Sequence, residues 1–338
     1  MVGPVVGGGR EGSDGGLSMK LWSDEIEAMR PEARDAVAKG MEAMQAMIGD
    51  RSLIDPTLDK FERAKRQREM FAVSFAPVPE AEDREIAGVR CRVFVPDRAA
   101  TAVYLHFHGG GMILGAPEMN DASNLELSRR TGMAVVSVDY RMAPEHPFPA
   151  GPDDGVAVAA WLLEHGESEF GSPRILTGGE SAGGYMAAAV LLRIRDELGA
   201  VDRVDGANLV YGVHDWGRPP SQRGIRPTDV TDILDPVGIV FFGECYLPGL
   251  TDDERRAPEI SPAFADLSGL PPALMSVGTA DHLLDDTLIL ASRWAAAGGE
   301  VELFVAPDLP HGFGAYPCGI TEAWTAVTRA WFDDILSR

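Results

Sequence analysis

The chain has 338 residues, of which 45% are hydrophobic and 24% are charged, a composition typical of a soluble globular domain with or without a smaller appendage. Its formal net charge of −22 argues against nucleic acid or an anionic membrane as a partner, because both bind positively charged surfaces. No apolar stretch approaches the roughly 20 residues that a membrane-spanning helix requires.

The cysteines and the N-terminus indicate where the protein is located. Cys91, Cys245 and Cys318 are too few and too far apart for a disulfide framework or a zinc site, so we expect a reducing, cytoplasmic location. Cys91 lies in an alternating segment that predicts a packed strand position. Residues 1–18 lack the basic segment and apolar core of a signal peptide, and we interpret them as a disordered tail.

Residues 19–72 are predicted to form an N-terminal helical cap. A helical pattern from residue 20 to residue 50 is interrupted by Pro31, and Asp24 is its predicted N-cap. A second charged helix is predicted over residues 55–70. No strand pattern precedes residue 73, so these helices are expected to lie outside the sheet.

Residues 73–338 read as a different unit, in which strands and helices alternate. Helices are predicted at 120–130, 153–165, 181–198 and 286–297. Strands are predicted in "GVRCRVFVP", "AVYLHFH", "MAVVSVDY", "RILTGG", "ANLVYGV", "PALMSVG" and "VELFVAP". This alternation predicts an α/β fold with a mostly parallel central sheet covered by helices on both faces. Residues 215–259 break the rhythm and are interpreted as a second, inserted part of the cap.

The segment "TGGESAGGYMAA" follows one predicted strand directly and opens a helix. It contains G-x-S-x-G around Ser181, the pattern of a nucleophile elbow. Side chains two residues before or after such a serine would collide with the strand or the helix, which explains the glycines. The pattern alone is weak, but the strand–turn–helix context strengthens it.

A second glycine cluster, Gly109-Gly110-Gly111, follows His108 at the end of another predicted strand. Main-chain N–H groups can approach a developing oxyanion only where no Cβ blocks them, and the HGGG pattern is typical of such a loop. A flexible linker is the alternative interpretation of a glycine triplet. Its place directly after a buried strand favours the oxyanion loop.

A serine nucleophile needs a base, and the base needs an orienting carboxylate. His311 follows the last predicted strand in "APDLPHGFGAY" and is the best-placed of the seven histidines; His165 is predicted at a helix end. Asp281 lies just past a strand end, with Asp285 and Asp286 a turn later. The order Ser181, Asp281, His311 is that of the α/β-hydrolases. Asp285 and Asp286 remain alternatives, or they cap the following helix.

Together these segments resemble the hormone-sensitive-lipase-like carboxylesterases of the α/β-hydrolase superfamily. The matching pieces cover about residues 75–338: "HGGGMILG", "VDYRMAPEHPFPA", "GGESAGG", "SPAFADLSGLPPALMSVGTADHLLDD" and "PHGF". The resemblance implies a Ser181–His311–Asp281 triad, an oxyanion hole formed by Gly109, Gly110 and Ala182, and no metal or organic cofactor. It also implies structural roles for His108 and the "YRMAPEHPFPA" segment, and a cap like that predicted above.

Three positions depart from the family pattern. Met112 stands where an aromatic residue is common, Glu180 replaces an aspartate, and His282 replaces a proline. The first change is expected to reshape the acyl pocket. The candidate substrate-binding residues are Met112, Glu180, Tyr185 and His214.

The predicted activity is hydrolysis of short-chain acyl esters through an acyl-enzyme, with a small-molecule ester as substrate and a homodimer as a possible assembly. One alternative is a non-catalytic ligand-binding protein on the same scaffold, as in the plant gibberellin receptors, which resemble this family but lack the histidine. His311 argues against that alternative. A peptidase or amidase of the same superfamily is the other alternative.

Overall fold

The computed structural model describes residues 20–48, 57–72, 75–228, 230 and 232–338. The tail predicted over residues 1–18 lies outside the described residues, as do residues 55 and 56 of the second predicted helix. Domain boundaries at residues 18 and 72 therefore stay predictions.

The core of the molecule is one sheet in which, among the described residues, the last six strands in chain order run parallel to one another and the second strand runs antiparallel to both of its neighbours. Its order is β1-β2-β4-β3-β5-β6-β7-β8, and the β1–β2 and β2–β4 pairs are antiparallel. Among the described residues the strands are β1 Glu82–Ile86, β2 Val89–Phe94, β3 Val103–Phe107, β4 Ala134–Val138, β5 Ile175–Glu180, β6 Val204–Val210, β7 Ala273–Gly278 and β8 Val301–Ala306. The predicted α/β class is confirmed.

Both faces of the sheet are covered by helices. Every residue of β3 and β4 is buried, as expected for central parallel strands packed on two sides. The helices are α1 Asp24–Ala28, α2 Arg30–Ile48, α3 Lys60–Ala72, α4 Asp121–Thr131, α5 Ala150–Phe170, α6 Ala182–Asp196, α7 Pro236–Tyr246, α8 Leu284–Ala296 and α9 Gly319–Ser337. The carboxyl ends of the parallel strands meet at one edge, where functional loops of this architecture converge.

The predicted cap segments contact the strand-and-helix unit through specific ion pairs and rings. Arg30 and Arg34 of α2 bind the carboxylate of Asp308, which follows β8 and is 1% exposed. Arg63 of α3 stacks over the ring of Phe241 in α7, with the guanidinium carbon 3.6 Å from the ring centroid. The helical part of residues 215–259 thus packs on the N-terminal helices.

The helix boundaries in the cap differ from those predicted. Ser23, not Asp24, is the N-cap of α1, and its hydroxyl accepts the N–H of Ile26. The predicted break lies at Met29, so Pro31 is in the first turn of α2, where its missing N–H costs nothing. Helix α3 begins at Lys60 rather than at residue 55.

Two elements of the structure, β1 and α9, were not predicted, and His165 does not lie at a helix end as predicted. β1 is a charged edge strand with only its last residue buried, so it has no alternating apolar pattern. Helix α9 does carry a helical pattern, with Ile320, Trp331 and Ile335 buried, and this signal was available in the sequence. His165 lies inside α5 rather than at its end, because the helix continues to Phe170.

Candidate active site

Ser181 lies in a sharp turn between β5 and α6. Its φ of +57° is in a region that non-glycine residues rarely occupy, and its N–H donates to the carbonyl of Val210 at 2.9 Å. A Cβ on Gly179 or Gly183 would overlap the carbonyl oxygen of Phe107 in β3. The flanking glycines are therefore required by the close approach of three main-chain segments.

Three predicted residues meet beside this turn. His311 Nε2 is 2.8 Å from Ser181 Oγ, and His311 Nδ1 is 2.8 Å from Asp281 Oδ2. The second oxygen of Asp281 accepts the N–H of Leu283 at 2.7 Å, which orients the fully buried carboxylate. The three side chains come from loops after β5, β7 and β8, so the parallel sheet brings them together.

The other two acidic candidates contact neither His311 nor Ser181. Asp285 accepts the N–H of Ser221 at 2.9 Å. Asp286 accepts the N–H groups of His214 and Asp215, both at 2.8 Å, and the side-chain amide of Gln222. Neither caps α8, whose N-cap position is occupied by Leu283 without a side-chain bond. Both carboxylates instead bind the loop that leads from β6 into residues 215–259.

The environment of His311 favours its protonated form. Burial alone would lower the pKa, but the charge and hydrogen bond of Asp281, together with the charge of Asp232, outweigh it and raise the pKa of His311. The edge of the Tyr211 ring packs against the imidazole, with centroids 4.8 Å apart. An imidazolium formed during a reaction is thus stabilised by two carboxylates.

The glycine loop lies directly against the elbow. A Cβ on Gly109 would come within 3.1 Å of the carbonyl of Glu180 and 3.5 Å of Ser181 Cβ. Gly110 has a φ of +122°, where a side chain would be strained. Ala182 is the first residue of α6, and the first N–H groups of a helix have no partner within it.

His108 and Tyr140 support this loop from behind. Their rings stack with centroids 4.4 Å apart, and the Tyr140 hydroxyl donates to the carbonyl of His108 at 2.8 Å. His108 Nδ1 is 2.8 Å from the carbonyl oxygen of Gly109. Burial lowers the pKa of His108 to about 4, so this histidine is neutral at physiological pH.

Three of the candidate substrate-binding residues have protein contacts of their own. Met112 is fully buried, and its methyl group packs 3.2 Å from the Cβ position of Gly151 in α5. The Glu180 carboxylate contacts His106 and accepts the side-chain N–H of Asn120. The hydroxyl of Tyr185 is 3.0 Å from that of Tyr246. None of these contacts is with the triad.

His214, the fourth candidate, is different. Its side chain is buried, and neither ring nitrogen has a hydrogen-bond partner in the described part of the chain. Burial lowers the pKa of His214 to about 3, which keeps the ring neutral. The imidazole lies against Gly212 at the end of β6.

Two side chains from residues 215–259 lie at the site and were not predicted from the sequence, Phe242 and Asp232. Phe242 of α7 covers the glycine loop, with Cδ2 2.6 Å from where a Cβ on Gly111 would be. Asp232 accepts the N–H of His311 at 3.2 Å. Neither lies in a recognisable motif, and no pattern in the sequence connects them to the loops that they touch.

The described residues contain no cluster of three or more histidine, cysteine or acidic side chains able to hold a metal ion. Within the same ranges, no helix has the length and hydropathy needed to cross a membrane. Cys91, Cys245 and Cys318 are all buried and unpaired, and burial raises the pKa of the Cys91 and Cys245 thiols.

The chain is similar in sequence to a known protein family and to named esterases. Residues 104–315 match the family profile described as the alpha/beta hydrolase fold. The chain is 36% identical over 256 residues to the carboxylesterase NlhH of Mycobacterium tuberculosis, covering 72% of this chain and 77% of that protein. It is 35% identical over 237 residues to the esterase LipI of the same organism, covering 69% and 72% respectively.

The chain is also similar to solved structures of a lipase and an esterase. A hormone-sensitive lipase from a metagenome library superposes with a TM-score of 0.71 at 29% identity, covering 90% of this chain and 98% of that one. An esterase of Pyrobaculum calidifontis superposes with a TM-score of 0.74 at 29% identity, covering 83% and 95%. The chain belongs to the α/β-hydrolase family, in its hormone-sensitive-lipase-like branch. It is a carboxylic ester hydrolase, as predicted.

Proposed function

We propose that the protein hydrolyses short-chain acyl esters, with Ser181 as nucleophile, His311 as general base and acid, and Asp281 as the orienting carboxylate. The observation that carries the proposal is the continuous hydrogen-bonded chain from Ser181 Oγ through both ring nitrogens of His311 to Asp281, at 2.8 Å for each contact. The strained backbone of Ser181 supports it, because such strain is typical of a serine presented for attack.

In the first half-reaction Ser181 attacks the ester carbonyl while His311 Nε2 takes the hydroxyl proton. The oxyanion accepts hydrogen bonds from the N–H groups of Gly109, Gly110 and Ala182, each contributing about 3–4 kcal/mol to the transition state. His311 then gives its proton to the leaving alcohol, and the acyl group remains on Ser181 as an ester.

In the second half-reaction water replaces the alcohol. His311 removes a proton from that water, the oxyanion forms again at the same N–H groups, and the carboxylic acid leaves as the proton returns to Ser181. Asp281 keeps the proton of the neutral imidazole on Nδ1 in both halves and stabilises the imidazolium.

Residues 215–259 support a preference for short acyl chains. Phe242 packs over the glycine loop, and Ile233 reaches within 3.6 Å of the Cβ position of Gly312, next to the base. Apolar side chains of residues 215–259 thus lie next to both the glycine loop and the loop that carries His311. His214, with its unpartnered ring nitrogens, is the best remaining candidate for a polar substrate contact.

A series of p-nitrophenyl esters of increasing acyl length tests the substrate class, and Ser181→Ala tests the triad. We expect kcat/KM to be highest for acetate to hexanoate and lower for longer chains. We expect Ser181→Ala to lose at least about 10³-fold in kcat. Ser292→Ala, an exposed serine of α8, is the matched control and should retain wild-type rates.

Wild-type rates in Ser181→Ala would refute the triad, and a preference for long chains would refute the substrate class. If the wild-type protein hydrolyses none of the esters but binds a small ligand, and Ser181→Ala binds that ligand equally tightly, the receptor-like alternative is indicated. Faster cleavage of matched p-nitroanilides than of esters would indicate an amidase.

A further inference from the structure

The buried carboxylate of Asp232 lies between the loop that carries Asp281 (the acid loop) and the loop that carries His311 (the base loop). Asp232 belongs to the inserted residues 215–259, and its side chain is 1% exposed. Oδ1 accepts the N–H of His311 at 3.2 Å and that of Leu234 at 3.1 Å, and Oδ2 accepts the N–H of His282 at 3.3 Å. One carboxylate therefore joins the main chain of the base loop to that of the acid loop.

Arg226, from the same insertion, also binds the loop that carries Asp281. Its guanidinium donates to the carbonyl of Ala280 and, at 3.3 Å, to that of Val230. Arg226 Nη1 is 3.8 Å from Asp232 Oδ2. The insertion thus binds the residues immediately before and after Asp281, as well as His311 itself.

The charge of Asp232 is costly where it lies. Burial, with a further contribution from Asp281, raises the pKa of Asp232 to about 6. An asparagine would avoid the cost of burying a charge, but its single oxygen could not replace both acceptor oxygens, because its NH2 group only donates. The carboxylate therefore supplies acceptors to both loops and, in addition, a negative charge beside His311.

We propose that Asp232 is a positioning residue for His311, and that its carboxylate is a second negative charge, supplied by the inserted part of the cap, that stabilises the imidazolium formed in each acyl-transfer step. This inference rests on the proposed role of His311 as the base. It implies that the base is fully effective only while the insertion is docked on both loops.

The ionisable groups around this pair come from several elements. Asp281 faces both Asp232 and His311. Its negative charge raises the pKa of Asp232, which opposes loss of that proton, and it raises the pKa of His311, which favours the imidazolium. The remaining neighbours are Tyr211 against the imidazole, and Arg226, His282 and Tyr316 near the Asp232 carboxylate.

The test compares pH profiles of kcat and kcat/KM on p-nitrophenyl butyrate for wild type and four variants. Asp232→Asn keeps the shape, removes the charge and replaces one acceptor oxygen by an NH2 group, while Asp232→Glu keeps the charge and both acceptor oxygens. Asp252→Asn removes a carboxylate of the same insertion that pairs with Arg218, and is the control. Ser181→Ala tests the triad separately, and thermal unfolding shows that each variant is folded.

For Asp232→Asn we expect the acid limb of kcat/KM to move down by about one pH unit, because loss of a nearby negative charge lowers the pKa of a histidine. We expect kcat to fall about three- to tenfold with KM nearly unchanged, since the stabilisation is needed once the imidazolium forms. Asp232→Glu should keep the wild-type limb, and Asp252→Asn should match wild type throughout.

The inference is overturned if Asp232→Asn keeps the wild-type limb and kcat, or if Asp232→Glu shifts the limb as far as Asp232→Asn does. Should Asp232→Asn not fold, Asp232→Ser is the second neutral variant, and failure of both would assign Asp232 to folding alone and refute the proposal. Activity retained in Ser181→Ala would instead refute the triad, whatever the Asp232 variants do.

Discussion

Asp281 and Asp285 lie four residues apart and have different partners. Asp281 is hydrogen-bonded to His311, whereas Asp285 accepts the main-chain N–H of Ser221. Both precede or open the same helix, so local pattern does not distinguish them. Their hydrogen bonds distinguish them, because only the carboxylate of Asp281 is bonded to the imidazole and can orient it.

We therefore expect Asp281→Asn to reduce kcat by about 10⁴-fold, since an amide would favour the wrong tautomer of His311 and leave its positive charge uncompensated. Asp285→Asn should change kcat by no more than a few-fold. Steady-state kinetics on p-nitrophenyl butyrate measures both. The assignment fails if the Asp285 variant is inactive and the Asp281 variant is not.

Among the elements, the junction of β5 with α6 is packed closely against the main chain of β3. The Cβ position of Gly183 overlaps the carbonyl of Phe107, and main chain cannot move aside without displacing β3. Gly238, in the first turn of α7, has its nearest neighbour at 3.5 Å and offers room for a methyl group. These two helix glycines form a matched pair.

Gly183→Ala is expected to cost about 2–3 kcal/mol in free energy of unfolding, through overpacking against main chain, and to abolish most activity by displacing the glycine loop. Gly238→Ala should leave both unchanged or be slightly stabilising. Urea unfolding and initial rates check the pair. Equal stability of the two variants would contradict the assigned packing.

Helix α2 is attached to the base loop through Asp308. Binding by Arg30 and Arg34 lowers the pKa of Asp308 despite its burial. A carboxylate with a lowered pKa stabilises the folded state above its unfolded pKa, and this contribution is lost as the pH falls through the folded value. The contribution is thus fully present at pH 7.

Asp308→Asn is expected to lower the free energy of unfolding at pH 7 by about 1–3 kcal/mol, because Arg30 and Arg34 each lose a charged partner, although Arg30 keeps its ion pair with Glu27. The difference from wild type should shrink as the pH falls below about 4, where the wild-type carboxyl is protonated as well. Urea titrations at several pH values measure it. Asp253→Asn, at a site that is 96% exposed, should show no such difference.

For the whole molecule, the net charge of −22 is the dominant electrostatic feature. Like charges distributed over a compact surface repel one another, and salt screens that repulsion over about 10 Å at 0.1 M. Salt also weakens exposed ion pairs, but each of these contributes only about 0–1 kcal/mol. Repulsion is therefore expected to outweigh the pairs.

Raising NaCl from about 0.02 M to about 0.5 M at pH 8 should raise Tm by about 2–5 °C, through screening of that repulsion. The increase should be smaller at pH 5.5, where some carboxylates are protonated and the net charge is lower. Calorimetry at both pH values measures the effect. A Tm that falls with salt at pH 8 would show that the ion pairs dominate.

At this scale the sequence alone determined the α/β class, seven of the strands, and the serine and histidine that the structure places in contact. These are local signals, since strand periodicity, a glycine-flanked serine and a histidine after the last strand each occupy a few consecutive residues. Helix α9 was equally accessible to periodicity, whereas the charged edge strand β1 was not.

Only the tertiary structure decided which carboxylate meets His311 and what the inserted residues 215–259 do. Asp281, Asp285 and Asp286 all follow β7 closely in sequence, and they differ in the groups to which their carboxylates are hydrogen-bonded. Asp232 lies 79 positions before His311, and its contact depends on how the insertion folds back. Such contacts join distant segments, and no short-range pattern encodes them because they arise only when the sheet brings the loops together.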